Sequence, residues 1–356
     1  MSMILTPSTS SELADAVCSA PRVLAVGAGT KPRLSAVGQE FVRISTRELS
    51  GILEYEPSEF TFTALAGTSV KEISAALAER GQYLPFDPLL VEAGATLGGT
   101  VGAGLGGPGR WRFGGVRDFI LGVRFVDGGG RLFRMGGKVV KNAAGFDLPK
   151  FFVGSLGRFG ALAEITFKVF PRAVTMRTLR LPVSDSRAMT SILVETSGKR
   201  WELDAVEGAV GEWAVYLRLA GALSAIDAMA AEILGRWSGE VLEDEVGRSF
   251  WDGVREFGWA HPGGEWVKVA LVPMQVPEFC ARVRAVEGAR AWVGQGGNTG
   301  VISLPKGERC LERWDWPALT LQGEGALWPG TRREFGIFQA VKLALDPQGR
   351  FPSLED

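Results

Sequence analysis

Residues 91–160 carry 20 of the chain's 48 glycines, and no other feature of the sequence constrains the fold as strongly. Glycine loses more backbone freedom on ordering than any other residue, so a packed core has no use for such a run. Glycine is needed where φ turns positive or where the backbone must lie close against something else. A flexible linker is excluded because segments of strand character interrupt the glycines at 119–126 and 161–169. The first half of the chain is therefore read as several loops wrapped around a ligand.

Composition narrows the class of ligand. Apolar residues make up 46% and charged residues 22% of 356 positions, as in an ordinary soluble globular protein of about two domains. The formal net charge of −1 excludes a nucleic-acid binder that works through bulk positive charge. Cys18, Cys280 and Cys310 form no CxxC pair, which argues against iron–sulfur and zinc sites, and no metal is expected. Sparse cysteines fit a reducing cytoplasm. The single histidine, His261, excludes a mechanism that needs two imidazoles. The N-terminus lacks a basic n-region and an apolar h-region. The uncharged run 93–109 is too broken by glycine to span a membrane. Eleven tryptophans are read as core residues rather than as a partner surface.

Periodicity supplies the elements. Ser10 or Ser11 caps a helix to about Cys18, and Val23–Val26 is a buried strand entering the loop Gly27-Ala28-Gly29-Thr30. Further strands are expected at 41–44 and 60–65, a helix at 69–80, and a long loop over 85–96. Asp127-Gly128-Gly129-Gly130 joins strands 120–126 and 131–134 as a hairpin, and 161–169 is a strand ended by Pro171. From about 174 glycine thins. Helices are expected at 184–196, 222–236, 244–257 and 276–286, and strands at 203–208, 213–219, 266–272, 290–294 and 300–304. A final helix covers 332–345. The fold class is α+β, with domains at 1–173 and 174–330 and a tail, 331–356, returning to the first.

Gly102-Ala103-Gly104-Leu105-Gly106-Gly107 satisfies G-x-G-x-x-G, but no strand precedes it and Pro108 follows, so the dinucleotide fingerprint does not apply. Other segments make better chemical sense. Successive small residues in Gly27–Thr30 expose amides that suit phosphate oxygens. Thr96 caps a short helix over Leu97-Gly98-Gly99-Thr100-Val101-Gly102-Ala103-Gly104, whose amides are read as pointing at an anion and whose glycines admit a pyrophosphate. Val116-Arg117-Asp118 follows. The most specific run is Lys141-Asn142-Ala143-Ala144-Gly145-Phe146-Asp147, continued by Gly154-Ser155-Leu156-Gly157.

In this order the segments resemble the FAD-binding domain of the vanillyl-alcohol oxidase and p-cresol methylhydroxylase (PCMH) superfamily, in particular the E-subunit type of bacterial glycolate oxidase. Val341-Lys342-Leu343-Ala344-Leu345-Asp346-Pro347-Gln348-Gly349 also matches. The resemblance is strong over 5–172, thin over 174–330 and modest at the tail. It implies a two-subdomain PCMH-type FAD-binding domain followed by a smaller α/β cap, and a noncovalent FAD. Its implied cofactor residues are Gly27, Ala28, Gly29, Thr30, Pro88, Thr96, Gly98, Gly99, Thr100, Gly102, Gly104, Arg117, Asp118, Lys141, Asn142, Gly145, Asp147 and Ile165. Lys141 or Arg117 adds positive charge near the flavin, or else makes an ordinary salt bridge. Phe146 stands in place of the usual Tyr, and Arg158 in place of a common Thr. No histidine is available near the first loop for covalent attachment. Cysteinyl attachment at Cys280 or Cys310 stays open beside the reading of a buried inert thiol.

Oxidation of a 2-hydroxy acid needs a proton acceptor and a cation for the carboxylate. The cap offers only His261, in a loop of turn formers, and no catalytic residue is assigned. The resemblance thus implies an oxidoreductase subunit that supports or relays electrons in a multi-subunit glycolate oxidase. Its partners would be a second FAD-containing subunit and an iron–sulfur subunit. The complex is expected in the cytoplasm or at the inner face of the membrane. Two alternatives stay open: a self-sufficient D-lactate or 2-hydroxy-acid dehydrogenase, and a non-catalytic assembly subunit with a vestigial flavin site.

Overall fold

The computed structural model describes residues 4–137, 147–309, 314–332, 336–353 and 355. The chain divides into two units, one of 1–106, 115–171 and 333–356, the other of 107–114 and 172–332. The first unit begins with β1 (Ile4–Leu5), α1 (Ser10–Cys18), β2 (Val23–Val26) and β3 (Val42–Ser45). The strands form a parallel sheet in the order β1-β3-β2. Thr9, rather than Ser10 or Ser11, caps α1 by accepting from the Glu12 amide at 3.2 Å. Leu13, Ala16 and Val17 recur at helical spacing and are buried with Val23 and Ile44. Because β2 is an edge strand, the loop that leaves it is not tied to a further strand.

The same unit continues with β4 (Ile52–Glu56), β5 (Thr61–Leu65), α2 (Val70–Ala78), β6 (Gln82–Tyr83), α3 (Leu97–Ala103), β7 (Ile120–Val126), β8 (Leu132–Gly136), β9 (Ala161–Lys168) and β10 (Phe170–Pro171). Five of these strands build an antiparallel sheet in the order β4-β5-β9-β7-β8. Alternation puts Phe62 opposite Phe167 and Ile165 between Ala64 and Val123. Asp127 fixes the β7–β8 turn by accepting from the amides of Gly129 and Arg131 at 2.9 and 2.8 Å.

The second unit comprises α4 (Arg110–Phe113), β11 (Thr175–Pro182), α5 (Ser186–Gly198), β12 (Leu203–Ala209), β13 (Ala214–Gly221), α6 (Leu223–Arg236), β14 (Glu240–Leu242), α7 (Asp244–Arg255), β15 (Glu265–Ala270), α8 (Val276–Arg284), β16 (Arg290–Gly294), β17 (Thr299–Leu304) and β18 (Ala318–Gln322). Its sheet runs β14-β11-β13-β12-β16-β17-β15-β18. Every neighbouring pair is antiparallel. Trp201, Trp251, Trp266, Trp292, Trp314 and Trp316 are buried, in keeping with a tryptophan-rich core.

The segment 107–114 falls in the glycine block of the sequence yet is counted with this second unit. Its side chains give the reason. Trp111 lies where a Cβ on Gly296 would stand, at 2.1 Å. Arg112 bridges Asp204 at 2.8 Å and Glu202 at 2.7 Å. A last helix, α9 (Gly336–Leu345), belongs to the first unit. It is held there by Lys342, whose ammonium donates to the carbonyls of Arg158 and Phe351, both at 2.9 Å.

Candidate functional site: a glycine-walled cleft

The loop after β2 makes the first wall of a cleft in the first unit. The amides of Gly27, Ala28 and Gly29 meet no acceptor among the described residues. Three adjacent free N–H groups form a concave donor set suited to an anion. Lys31 follows at once and is 9% exposed. Its ammonium donates to Thr30 Oγ1 at 3.1 Å.

Helix α3 makes the second wall. Thr96 caps it, accepting from the Gly99 amide at 3.3 Å. The sequence reading has the first amides of this helix aimed at an anion. The structure corrects that: Leu97 N donates to Thr68 O at 2.9 Å and Gly98 N to Ala66 O at 2.7 Å. With Gly99 N engaged by its cap, the first turn has no amide left for a ligand. What α3 offers instead is bare backbone. A Cβ on Gly102 would meet nothing within 4 Å, and one on Gly99 only Thr96 Oγ1 at 3.0 Å.

The third wall is the 155–157 turn. The amides of Gly154 and Leu156 donate to the carbonyls of Val101 and Gly102, each at 2.9 Å, so the turn is fastened to the end of α3. Gly104 permits this approach. Its φ is 65°, and a Cβ there would stand 2.7 Å from Gly154 N. Leu156 itself sits at φ 51°, a left-handed conformation that costs a residue with a Cβ about 1–3 kcal/mol and clusters at ligand sites. The G-x-G-x-x-G run thus lies at the C-terminal end of a helix rather than between a strand and a helix.

The cleft and its open mouth together hold about 780 Å³ of space free of protein atoms. Gly27, Ala28, Gly29, Thr30, Thr96, Gly98, Gly99 and Gly102 line it. Thr100 is turned into the protein, 4% exposed, with no partner for its hydroxyl. Gly104 braces the wall from behind. Pro88 is buried elsewhere, and Ile165 lies inside the sheet at 0% exposure. Arg117 is exposed, and Asp118 closes its own turn by accepting from Gly115 N at 2.8 Å. Asp147 pairs with Lys150 at 2.6 Å. Lys141, Asn142 and Gly145 fall outside the described residues, as does Cys310. The sequence reading missed Lys31, Ser35 and Thr46 on the cleft. Lys31 had a signal, a cation directly after G-A-G-T. Thr46 had none, because it reaches the cleft only through the parallel pairing of Val26 with Ser45.

The second unit carries the residues weighed for catalysis. His261 Nε2 lies 2.8 Å from Gly288 O, and the His261 carbonyl accepts from Trp266 Nε1 at 3.0 Å. That imidazole staples a loop. Cys280 is 1% exposed, and burial pushes its thiol up to about 11, which makes it inert. Lys268 on β15 is pushed down to about 8, first by burial and then by the Arg110 guanidinium. An ammonium with a lowered pKa opposes folding while charged. Between pH 8 and the ordinary 10.5 the unfolded chain holds more protons, so stability rises with pH there and the full penalty applies below 8. Lys268→Met is expected to stabilise the protein at pH 7 by about 1–3 kcal/mol, the lower end reflecting the exposure Lys268 retains. Thermal unfolding at pH 7 and pH 10 checks this, with the gap between variant and parent closing at the higher pH.

A parallel three-stranded sheet, an antiparallel five-stranded sheet and a cleft of bare backbone and free amides are the architecture expected of a PCMH-type FAD-binding domain. Comparison with known proteins agrees. Residues 1–136 match the family described as FAD binding domain. Alkyldihydroxyacetonephosphate synthase superposes with a TM-score of 0.68 at 15% identity, covering 97% of this chain and 74% of that one, which establishes the shared fold. The glycolate oxidase subunit GlcE of Escherichia coli K12 is 41% identical over 311 residues, 85% of this chain and 83% of the relative. This chain belongs to that GlcE family of FAD-binding oxidoreductase subunits. The glycolate oxidase subunit GlcD of Bacillus subtilis 168 is 32% identical over 133 residues, 37% of this chain and 28% of the relative. A D-lactate dehydrogenase of Archaeoglobus fulgidus is 28% identical over 45% of this chain and 36% of its own length.

FAD is the cofactor, and the cleft meets its demands. A pyrophosphate needs several N–H donors and an approach that Cβ atoms would block. The amides of Gly27–Gly29 are donors of that kind, with no acceptor among the described residues. Gly99 and Gly102 leave open the space a side chain would fill.

Proposed function

We propose that this chain is the FAD-binding subunit of a multi-subunit glycolate oxidase, in which it supports or relays the electrons of 2-hydroxy-acid oxidation. The observation that carries this reading is the 41% identity to GlcE over five-sixths of both chains, together with an intact glycine-walled cleft. In the proposed complex a second FAD-containing subunit removes electrons from substrate and an iron–sulfur subunit accepts them. A flavin supplies two-electron chemistry when bound. The chain's own part is to hold it: amides of Gly27–Gly29 toward the pyrophosphate, α3 and the 155–157 turn as walls, and noncovalent retention, with Cys280 buried and inert and Cys310 outside the described residues. Lys141, Asn142, Gly145 and Asp147 are proposed to complete the flavin region.

The D-lactate dehydrogenase of Archaeoglobus aligns with this chain over only 36% of its own length, against 83% for GlcE. His261 is engaged as a staple. Both points favour a subunit over a self-sufficient dehydrogenase. No helix among the described residues is long and apolar enough to cross a membrane. We place the complex in the cytoplasm or at the inner face of the membrane. The purified chain is expected to be yellow, to release FAD on acid precipitation, and to keep its flavin absorbance when glycolate or D-lactate is added. Glycolate-dependent dye reduction is expected only when the partner subunits are co-expressed. Substantial turnover by the isolated chain would sink the subunit reading.

A further inference from the structure

The second unit holds a groove of its own. Phe250 and Val254 of α7, Trp259 in the loop that follows, and Trp292 of β16 wall it, with Glu212, Glu243 and Glu245 beside them. The rings are built together. Phe250 stacks on Tyr216 at 3.9 Å between centroids, and Trp259 stacks on Trp292 at 5.6 Å. The Arg290 guanidinium donates to the Trp259 carbonyl at 3.1 Å, and Trp292 Nε1 donates to Glu207 at 2.5 Å, so both aromatic residues are fixed in place. Val246 also lines the groove and is 52% exposed. The groove and its open mouth hold about 1,170 Å³ of space free of protein atoms, room for a stretch of chain rather than for one ion.

Its charge is one-sided. No residue lining it is basic. Glu212 accepts from the Tyr216 hydroxyl at 2.9 Å and shares Arg180, 3.6 Å away, with Glu240 at 3.2 Å. The side chains of Glu243 and Glu245 make no ion pair among the described residues. Residues 240–256 carry six carboxylates against two guanidiniums, and Arg255 is already paired with Asp252. The helix dipole favours acids in the first turn of α7, but it gives no reason for an open aromatic wall next to them. Aromatic faces attract cations. A planar guanidinium can lie on an indole while its N–H edge forks onto a carboxylate, which a lysine ammonium cannot do.

We propose that this groove is a docking site for an arginine-bearing segment of a partner subunit. The proposal rests on the multi-subunit reading and names the surface through which the chain meets that partner. The arginine lies against the Trp259 wall with Glu243 and Glu245 as its carboxylates, and Val246 and Phe250 receive the apolar side chains beside it. Aromatic residues and arginine are the usual anchors of protein interfaces.

In the test the chain is co-expressed with its partner subunits, and dissociation of the purified complex is followed by sedimentation at several salt concentrations. Glu243→Lys combined with Glu245→Lys makes the groove repel an arginine and is expected to weaken assembly at least about 30-fold; Trp259→Ala is expected to weaken it about 10–30-fold. A control pair, Glu232→Lys with Glu287→Lys, makes the same change in net charge at exposed carboxylates on α6 and just after α8. It should stay within about twofold of the parent. Assembly of the parent should weaken as salt is raised, and that of the Glu243/Glu245 pair should not. Both pairs change exposed positions and should keep the parent's FAD content and melting temperature, so the test stands even if Trp259→Ala folds poorly. Unchanged assembly in the Glu243/Glu245 pair would overturn the proposal, and so would equal weakening by the control pair, which would reduce the effect to net charge. Self-association of the lone chain that the Glu243/Glu245 pair abolishes would give the groove to a second copy and overturn it too. If the parent bound no partner subunit at all, the multi-subunit reading itself would fall, and this proposal with it.

Discussion

Replacing Gly102 with leucine is expected to give a folded protein that no longer retains FAD. Gly102 lines the cleft, and a Cβ there would meet no protein atom within 4 Å. Its φ is not positive, so a side chain brings no backbone strain. Within α3 leucine is favoured over glycine by about 0.8 kcal/mol of helix propensity. The fold should therefore tolerate the change or gain slightly, while the side chain occupies ligand space. Affinity for FAD should fall at least about 100-fold, the upper range of an overpacking penalty. The contrast with Gly98 makes the prediction discriminating. Gly98 also lines the cleft, but its Cβ position is taken by protein: a Cβ there would stand 2.9 Å from both Ala66 Cβ and Ala66 O. Gly98→Val should therefore lose flavin by damaging the fold, with unfolding easier by about 2–3 kcal/mol. Flavin content and melting temperature of the two purified variants separate the causes. A colourless Gly102→Leu with an unshifted melting temperature is the expected result. Undiminished FAD content in that variant would show the cleft to be misassigned.

The same comparison marks how far residue type alone can locate a site. The glycine block pointed to the cleft because close backbone approach is a requirement that only glycine meets, and such requirements are visible in sequence. The side of a helix on which each glycine opens is a matter of packing. Gly98 against Ala66 and Gly102 against open space look alike in a row of letters. The engaged amides of α3 escaped for the same reason, since their acceptors at Ala66 and Thr68 lie thirty residues away in sequence. In the second unit the expected helices appeared within a few residues of their limits. Strand β11 was missed because Arg177 and Arg180 break its apolar pattern. Both arginines are satisfied from outside the strand, by Asp244 at 3.0 Å and Glu240 at 3.2 Å. Arg158 looked like a departure from family pattern, but it has a structural task that the tail explains.

Asp346→Ala is expected to destabilise the protein by about 3–5 kcal/mol, the usual result of removing one partner of a buried ion pair. Asp346 is fully buried in its side chain and pairs with Lys342 at 2.6 Å. Its two oxygens also accept from the amides of Arg350 and Phe351, both at 2.9 Å. Alanine would take the carboxylate away from an ammonium that is 15% exposed and the acceptor away from two amides. Set against a typical total of about 5–15 kcal/mol, that is a large fraction. The consequence reaches the cleft. Lys342 donates to the carbonyl of Arg158, whose guanidinium donates in turn to Ser353 O at 2.8 Å and Leu156 O at 3.2 Å. Leu156 and Gly157 are cleft wall, so loosening the tail loosens the wall and FAD should dissociate faster. The double variant Lys342→Met with Asp346→Leu removes both charges and should recover part of the loss, the two orphaned amides accounting for the remainder. Urea unfolding with and without added FAD measures both effects. A change below about 1 kcal/mol for Asp346→Ala would mean that the tail contributes little, and that the 155–157 turn holds its shape without it.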